Sequence, residues 1–148
     1  DRINELTRAL IRIGFDNVSG YIDEYIDMRN KNFKTGTLNL ITVEELRNNL
    51  SEYQVIDVRG YSEHKIASIP GAINIHAGEL DMNLGKLNVN KKIAVHCESG
   101  DRSSIACSFL ARKGLTGVYN LNSGINGWIE AGYPIEKGNI LPSELSCS

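Results

Sequence analysis

Lys92-Ile93-Ala94-Val95-His96-Cys97-Glu98-Ser99-Gly100-Asp101-Arg102-Ser103-Ser104 decides the fold. Residues 92 to 96 form a short run rich in β-branched side chains, and such a run reads as a buried strand. The next residues are polar and contain a glycine. A helix then follows from Ser103 to Lys113, with Ile105, Ala106, Phe109 and Leu110 on one face and Gly114 just past its end. A strand that passes through a brief loop into a helix is the repeating half of a parallel α/β sheet. Ligands in such sheets bind at the carboxyl ends of strands, where free amides at the helix start point outwards. Cys97 stands at that place.

Working outward, the pattern repeats. Thr42-Val43-Glu44-Glu45 carries a hydroxyl at the N-cap and a carboxylate three residues on, which opens a helix running to about Leu50. Residues 53 to 58 form a second buried strand. A helical turn over 62 to 67, a short strand over 72 to 75, a strand over 118 to 121 and a last helix over 125 to 131 around Trp128 complete the series. Strands alternating with helices predict an open parallel sheet with helices on both faces. Asn and Lys residues between 83 and 92 read as a solvated connection.

The first 38 residues are of another kind. Ile3, Leu6, Leu10 and Ile13 recur at helical spacing, Gly14 follows as a cap, and residues 30 to 39 turn to Lys, Asn, Thr and Gly, a linker composition. Shifted by 100 positions, Asp1, Arg2, Leu10, Arg12, Gly14 and Val18 fall on Asp101, Arg102, Leu110, Arg112, Gly114 and Val118, keeping the order helix, glycine, strand. Residues 1–38 therefore read as the end of a preceding, non-catalytic domain of the same fold plus a linker. Residues 39–138 read as the catalytic domain, and 139–148 as a flexible tail.

With 148 residues, 41% hydrophobic and 23% charged, the chain has the composition of a globular protein with one main core. A formal net charge of −2 gives no electrostatic case for nucleic acid or an anionic membrane. No apolar run approaches the roughly 20 residues a bilayer span needs. Three widely spaced cysteines do not form a disulfide framework, and point to a reducing cytoplasm.

The loop carries the chemistry. Amides converging on the Cys97 sulfur, and the positive end of the helix dipole, favour the thiolate, which is the nucleophile. Gly100 lets the loop bend through angles barred to other residues. Arg102 brings the loop's fixed positive charge; its fork suits a bound oxyanion or, equally, a bridge to a carboxylate such as Glu63. Neighbours in a strand face opposite ways, so His96 is a poor base for Cys97. Asp57 and Arg59 are read as organising the loop after their strand. Cys107 is read as a small apolar filler, Cys147 as an exposed thiol, and Trp128 as an anchor of the core.

Cys97-Glu98-Ser99-Gly100-Asp101-Arg102-Ser103 resembles the active loop of rhodanese domains: a cysteine, two variable residues, glycine, one variable residue, arginine and serine. Asp57-Val58-Arg59, Ile69-Pro70-Gly71-Ala72-Ile73-Asn74-Ile75, and Leu121-Asn122-Ser123-Gly124 with Trp128 and Ala131-Gly132-Tyr133-Pro134-Ile135, are similar to further marks of that family, in its order. The resemblance implies a rhodanese-like fold and a sulfurtransferase. Cys97 would take a sulfane sulfur from thiosulfate or a persulfide and pass it to a thiol or cyanide. Glu98, Ser99, Gly100, Asp101, Arg102 and Ser103 would hold the substrate, with no metal and no organic cofactor. Residues 11 to 22 look like the end of the inactive rhodanese-like domain in metallo-β-lactamase–rhodanese fusion proteins, which implies an upstream metallo-β-lactamase-like domain. His64, His76 and His96 do not reproduce that domain's ligand motif.

The loop departs from the family's frequent pattern, since Glu98 stands where a basic residue often follows the cysteine. With Asp101 it opposes dianionic thiosulfate and favours a persulfide donor. Two rival readings are weighed. Cysteine-dependent phosphatases and arsenate reductases resemble C-x5-R, one residue longer than the C-x4-R of Cys97 and Arg102. A non-catalytic docking module typically lacks the cysteine, which is present here.

Overall fold

The structure, a computed structural model, describes residues 2–12 and 36–138. The chain divides into two units, Asp1–Gly36 and Thr37–Ser148. Within the first, α1 spans Arg2–Arg12, the positions that the 100-residue shift sets against the helix after Cys97. Ile13, Gly14, the stretch 17 to 22 and the tail with Cys147 lie outside the described residues.

The second unit is built on β1 (Asn39–Ile41), α2 (Val43–Asn48), β2 (Tyr53–Asp57), α3 (Tyr61–Ile66), β3 (Ile73–Asn74), β4 (Lys92–His96), α4 (Asp101–Arg112), β5 (Val118–Leu121) and α5 (Gly124–Glu130). The described strands form one sheet, all parallel, in the order β1-β5-β4-β2-β3. β4, where the sequence puts the buried run, sits at the centre and is apolar on both faces. Ile93 and Val95 enter one core with Ala106, Cys107 and Leu110 of α4, and Ala94 enters the other with Leu46, Ile125 and Trp128. Helices therefore cover both faces, as expected. α2 opens with the capping box: the Thr42 side chain accepts from the Glu45 N–H at 3.1 Å, and Glu45 accepts from the Thr42 N–H at 2.9 Å.

The Asn and Lys residues between 83 and 92 are exposed or half-buried, as read, in a connection that begins in a 3-10 turn, Asp81–Lys86, and tucks Leu87 into the core. Three expectations need correction. The linker read over 30 to 39 ends in β1, an edge strand in register with β5 from Asn39 opposite Tyr119. α4 begins at Asp101, two residues earlier than expected. Its inward face is Ser103, Ala106, Cys107 and Leu110, while Ile105 is 72% exposed. The rotation has a local cause: Ser103 turns inward to reach the loop, and Ile105, about 200° further round a helix of 3.6 residues per turn, must face out.

Candidate active site

Every strand in a parallel sheet delivers its carboxyl end to the same edge, and β2 and β4 lie side by side with Asp57 opposite His96. The residue after each strand end opens a loop on that edge. Cys97 begins the loop into α4 and is 1% exposed. Gly100, at φ 110° and ψ −13°, reverses the loop as the cap residue of α4, a conformation that a side chain would strain. The reversal aims the Gly100 N–H at the Cys97 sulfur, 3.2 Å away.

The loop's carbonyls face away from the sulfur. Cys97 O accepts from the Ile125 N–H at 2.9 Å, and Glu98 O from the Asn126 N–H at 3.1 Å, both at the start of α5. Gly124 makes this possible: a Cβ there would fall 2.4 Å from Glu98 O and 2.6 Å from Cys97 O. With the carbonyls held outward by α5, the amides of the same loop turn inward.

Ser103, one helical turn on, closes the cradle. Its hydroxyl reaches Asn120 Oδ1 at 2.6 Å, Gly100 O at 3.1 Å and Cys97 Sγ at 3.5 Å. Asn120, buried on β5, donates through Nδ2 to Gly100 O at 3.2 Å, which fixes the loop from the neighbouring strand. Burial pushes the Cys97 thiol up, but the Ser103 hydroxyl and the backbone amides of Ser103, Gly100 and Ser99 outweigh it and hold the thiol below its ordinary value. Cys107, deep in the core of α4 and without such donors, is pushed up to about 12 by burial, as fits a filler.

The rest of the loop faces water. Glu98 and Ser99 are exposed, and the Ser99 hydroxyl donates to Asp101 at 2.9 Å. Asp101 is exposed as well, so both carboxylates of the loop face solvent. Arg102 takes the carboxylate-bridging arrangement: its terminal nitrogens lie 2.9 and 2.8 Å from the two oxygens of Glu63 on α3. Glu98 is 3.7 Å from the same guanidinium.

Beside the loop, Asp57 is fully buried. Burial is the largest influence and pushes its carboxyl up, but the Arg59 side chain at 2.7 to 3.3 Å, the neighbouring His96, the His64 Nδ1 donor at 2.9 Å and the Arg59 backbone N–H together more than reverse it. His96 is buried and held neutral, its pKa lowered by burial. Its Nδ1 meets Cys97 O at 3.1 Å, so that nitrogen carries the hydrogen; the imidazole holds the cysteine's carbonyl and not its sulfur.

The structure thus brings Cys97, Gly100 and Ser103 together and leaves Glu98, Ser99 and Asp101 on the outer rim. Asn120 and Gly124 complete the site; the sequence reading passed over Asn120 and quoted Gly124 only within a family mark. A lone Asn among the apolar residues of a central strand, level with a loop, is the signal that could have found the first. Among the described residues no group of three or more His, Cys, Asp or Glu is arranged to hold a metal, and no helix is long and apolar enough to cross a membrane.

The profile of the family described as rhodanese-like domain matches residues 42–131. Among curated relatives, YrkF of Bacillus subtilis, provisionally named a sulfur carrier protein, is 35% identical over 74 residues, 50% of this chain and 40% of that protein. This chain therefore spans well under half of that relative's length. A sulfurtransferase of Allochromatium vinosum is 29% identical over 101 residues, 66% of this chain and 94% of its own. Among solved structures, a rhodanese-related protein of Thermoplasma volcanium superimposes with a TM-score of 0.63 at 39% identity, covering 66% of this chain and 97% of the other.

Proposed function

The chain belongs to the rhodanese-like domain family, and from that premise we propose that it is a sulfurtransferase whose Cys97 carries the sulfur as a persulfide. The observation that carries this reading is the cradle itself: a lowered thiol with the Gly100 amide at 3.2 Å and the Ser103 hydroxyl at 3.5 Å. In the first half-reaction the Cys97 thiolate attacks the outer sulfur of a persulfide, or the sulfane sulfur of thiosulfate. The donor's S–S bond breaks, and the donor thiolate or sulfite departs with the electron pair. The new Cys97 S–S bond leaves a terminal sulfur among the loop amides, which stabilise its negative charge. In the second half-reaction an acceptor thiolate or cyanide attacks that outer sulfur and Cys97 departs as thiolate, ready for the next cycle.

Support from relatives is general, since the sulfurtransferase of Allochromatium vinosum is 29% identical. The rival reading is a docking module, and the 1% exposure of Cys97 favours it to this extent: a donor must find its way to a covered sulfur. Intact mass after incubation with thiosulfate or glutathione persulfide decides between them. A cyanide-removable gain of one sulfur, about 32 Da, absent in Cys97→Ser, is the expected outcome of nucleophilic capture. No gain from either donor overturns the enzyme reading.

The same reading places the chain downstream of a metallo-β-lactamase-like domain, in the cytoplasm, with residues 1–38 as the end of an intervening domain. It is supported by the resemblance of residues 11 to 22 and by the division of the chain at Gly36. Intact mass of the native protein from its source cells tests the arrangement.

A further inference from the structure

Arg102, in the first turn of α4, is the fixed positive charge of the stretch from Cys97 to Ser103, and it is already engaged. Both terminal nitrogens meet Glu63 in a fork at 2.9 and 2.8 Å, and two-point pairs of this kind hold more firmly than single contacts. Glu63 does not swing into place to do this. Its Oε2 also accepts from the Gly60 N–H at 2.9 Å, at the start of α3. The hydrogen bonds from Arg102, outweighing burial, hold its carboxyl below the usual range, so it stays charged. Glu98, its side chain 61% exposed, leans on the same guanidinium at 3.7 Å, and Asp101 stands exposed one residue away. Two carboxylates thus hold one guanidinium at the mouth of a site whose nucleophile is itself an anion, and a third stands exposed nearby along the chain. An incoming dianion finds the cation occupied and the surroundings repulsive.

We propose that Glu63 is a specificity-determining residue: by gripping Arg102 it withdraws the loop's cation from substrates and selects donors that are neutral or positively charged beside their sulfane sulfur. The inference rests on the sulfur-transfer reading and names the donor class for it. Glu63 touches no reacting atom; it acts through Arg102.

Two persulfides that differ only in remote charge test this without any variant: cysteamine persulfide, bearing an ammonium, and 3-mercaptopropionate persulfide, bearing a carboxylate. Single-turnover loading of Cys97 is followed by quenched intact mass for these and for thiosulfate. The wild-type protein is expected to load the ammonium donor about tenfold faster than the carboxylate donor at low ionic strength, with the gap closing in concentrated salt. In Glu63→Gln the carboxylate donor and thiosulfate speed up several-fold while the ammonium donor slows. Opposite shifts of this kind would not follow from a purely structural defect. Glu98→Gln, at an exposed position, shifts the same ratio in the same direction and serves if Glu63→Gln does not fold. Equal wild-type rates for the two persulfides, or a Glu63→Gln that slows all three donors together, overturn the selectivity role while leaving sulfur transfer intact. No loading by any donor overturns sulfur transfer itself.

Discussion

The loop after β2 and the loop after β4 begin side by side, Asp57 opposite His96, and treat their polar groups in opposite ways. The first is a closed network. Asp57 Oδ1 accepts from the Arg59 backbone and Nε at 3.0 Å, its Oδ2 from Arg59 and His64, and the Arg59 guanidinium donates onward to Ala67 O at 2.6 Å. The second points its Cys97 and Glu98 carbonyls at α5 and the Gly100 amide at the Cys97 sulfur. A buried charge that is fully paired stays as it is. A buried sulfur surrounded by donors gains from becoming charged, and that is what a reactive site requires. Rigidity in the first loop supports reactivity in the second, since α3 also supplies the Glu63 that positions Arg102.

Breaking the closed network has the largest effect. Asp57→Ala strands a buried guanidinium and is expected to cost about 3–5 kcal/mol, read by urea denaturation. A loss under about 1 kcal/mol would mean that water reaches Arg59 and that the network is not closed. Gly124→Ala attacks the support of the open loop, pushing a methyl into two carbonyls at a φ of 58°. It should cost about 1–3 kcal/mol and slow Cys97 loading, because displaced carbonyls no longer leave the amides facing inward.

Ser103→Ala sharpens the comparison, with a stability loss of about 1 kcal/mol and a thiol titration shifted upward. Loading should rise with pH through the lowered Cys97 value in the wild type and only at higher pH in the variant, followed by thiolate absorbance. The sign for stability is set by the same shift. The folded thiol titrates below the unfolded one, so its contribution is present above the unfolded value and is lost as pH falls through the folded one. Smallest is the stability effect of Glu63→Gln. The pair with Arg102 is half open to water, and the change should stay under about 1 kcal/mol by denaturation.

Much of this was legible in the sequence, for particular reasons. β4 matches its predicted bounds because a short β-branched run at a sheet centre must be apolar on both faces, and β5 matches its bounds as well. The capping box of α2 and the loop from Cys97 to Ser103 are written in local residue types. β1 was hidden because three residues at a sheet edge, two of them exposed, need no distinctive composition. Ile105 misled because apolarity suggests burial, whereas the helix is turned by a polar contact, Ser103 to Asn120, across 17 residues. Asn120 stayed invisible, and Gly124 was seen only as part of a family mark, for the same reason: their roles exist only once β5 and α5 lie against the loop.

The brevity of the sheet's edges has its own consequence. Among the described residues the sheet is bounded by β1, with three residues, and β3, with two. An exposed edge recruits a stranger through a long row of unpaired amides and carbonyls, and edges this short offer only a few. Stubby edges deprive any neighbouring chain of a template, so the sheet is left complete as it stands.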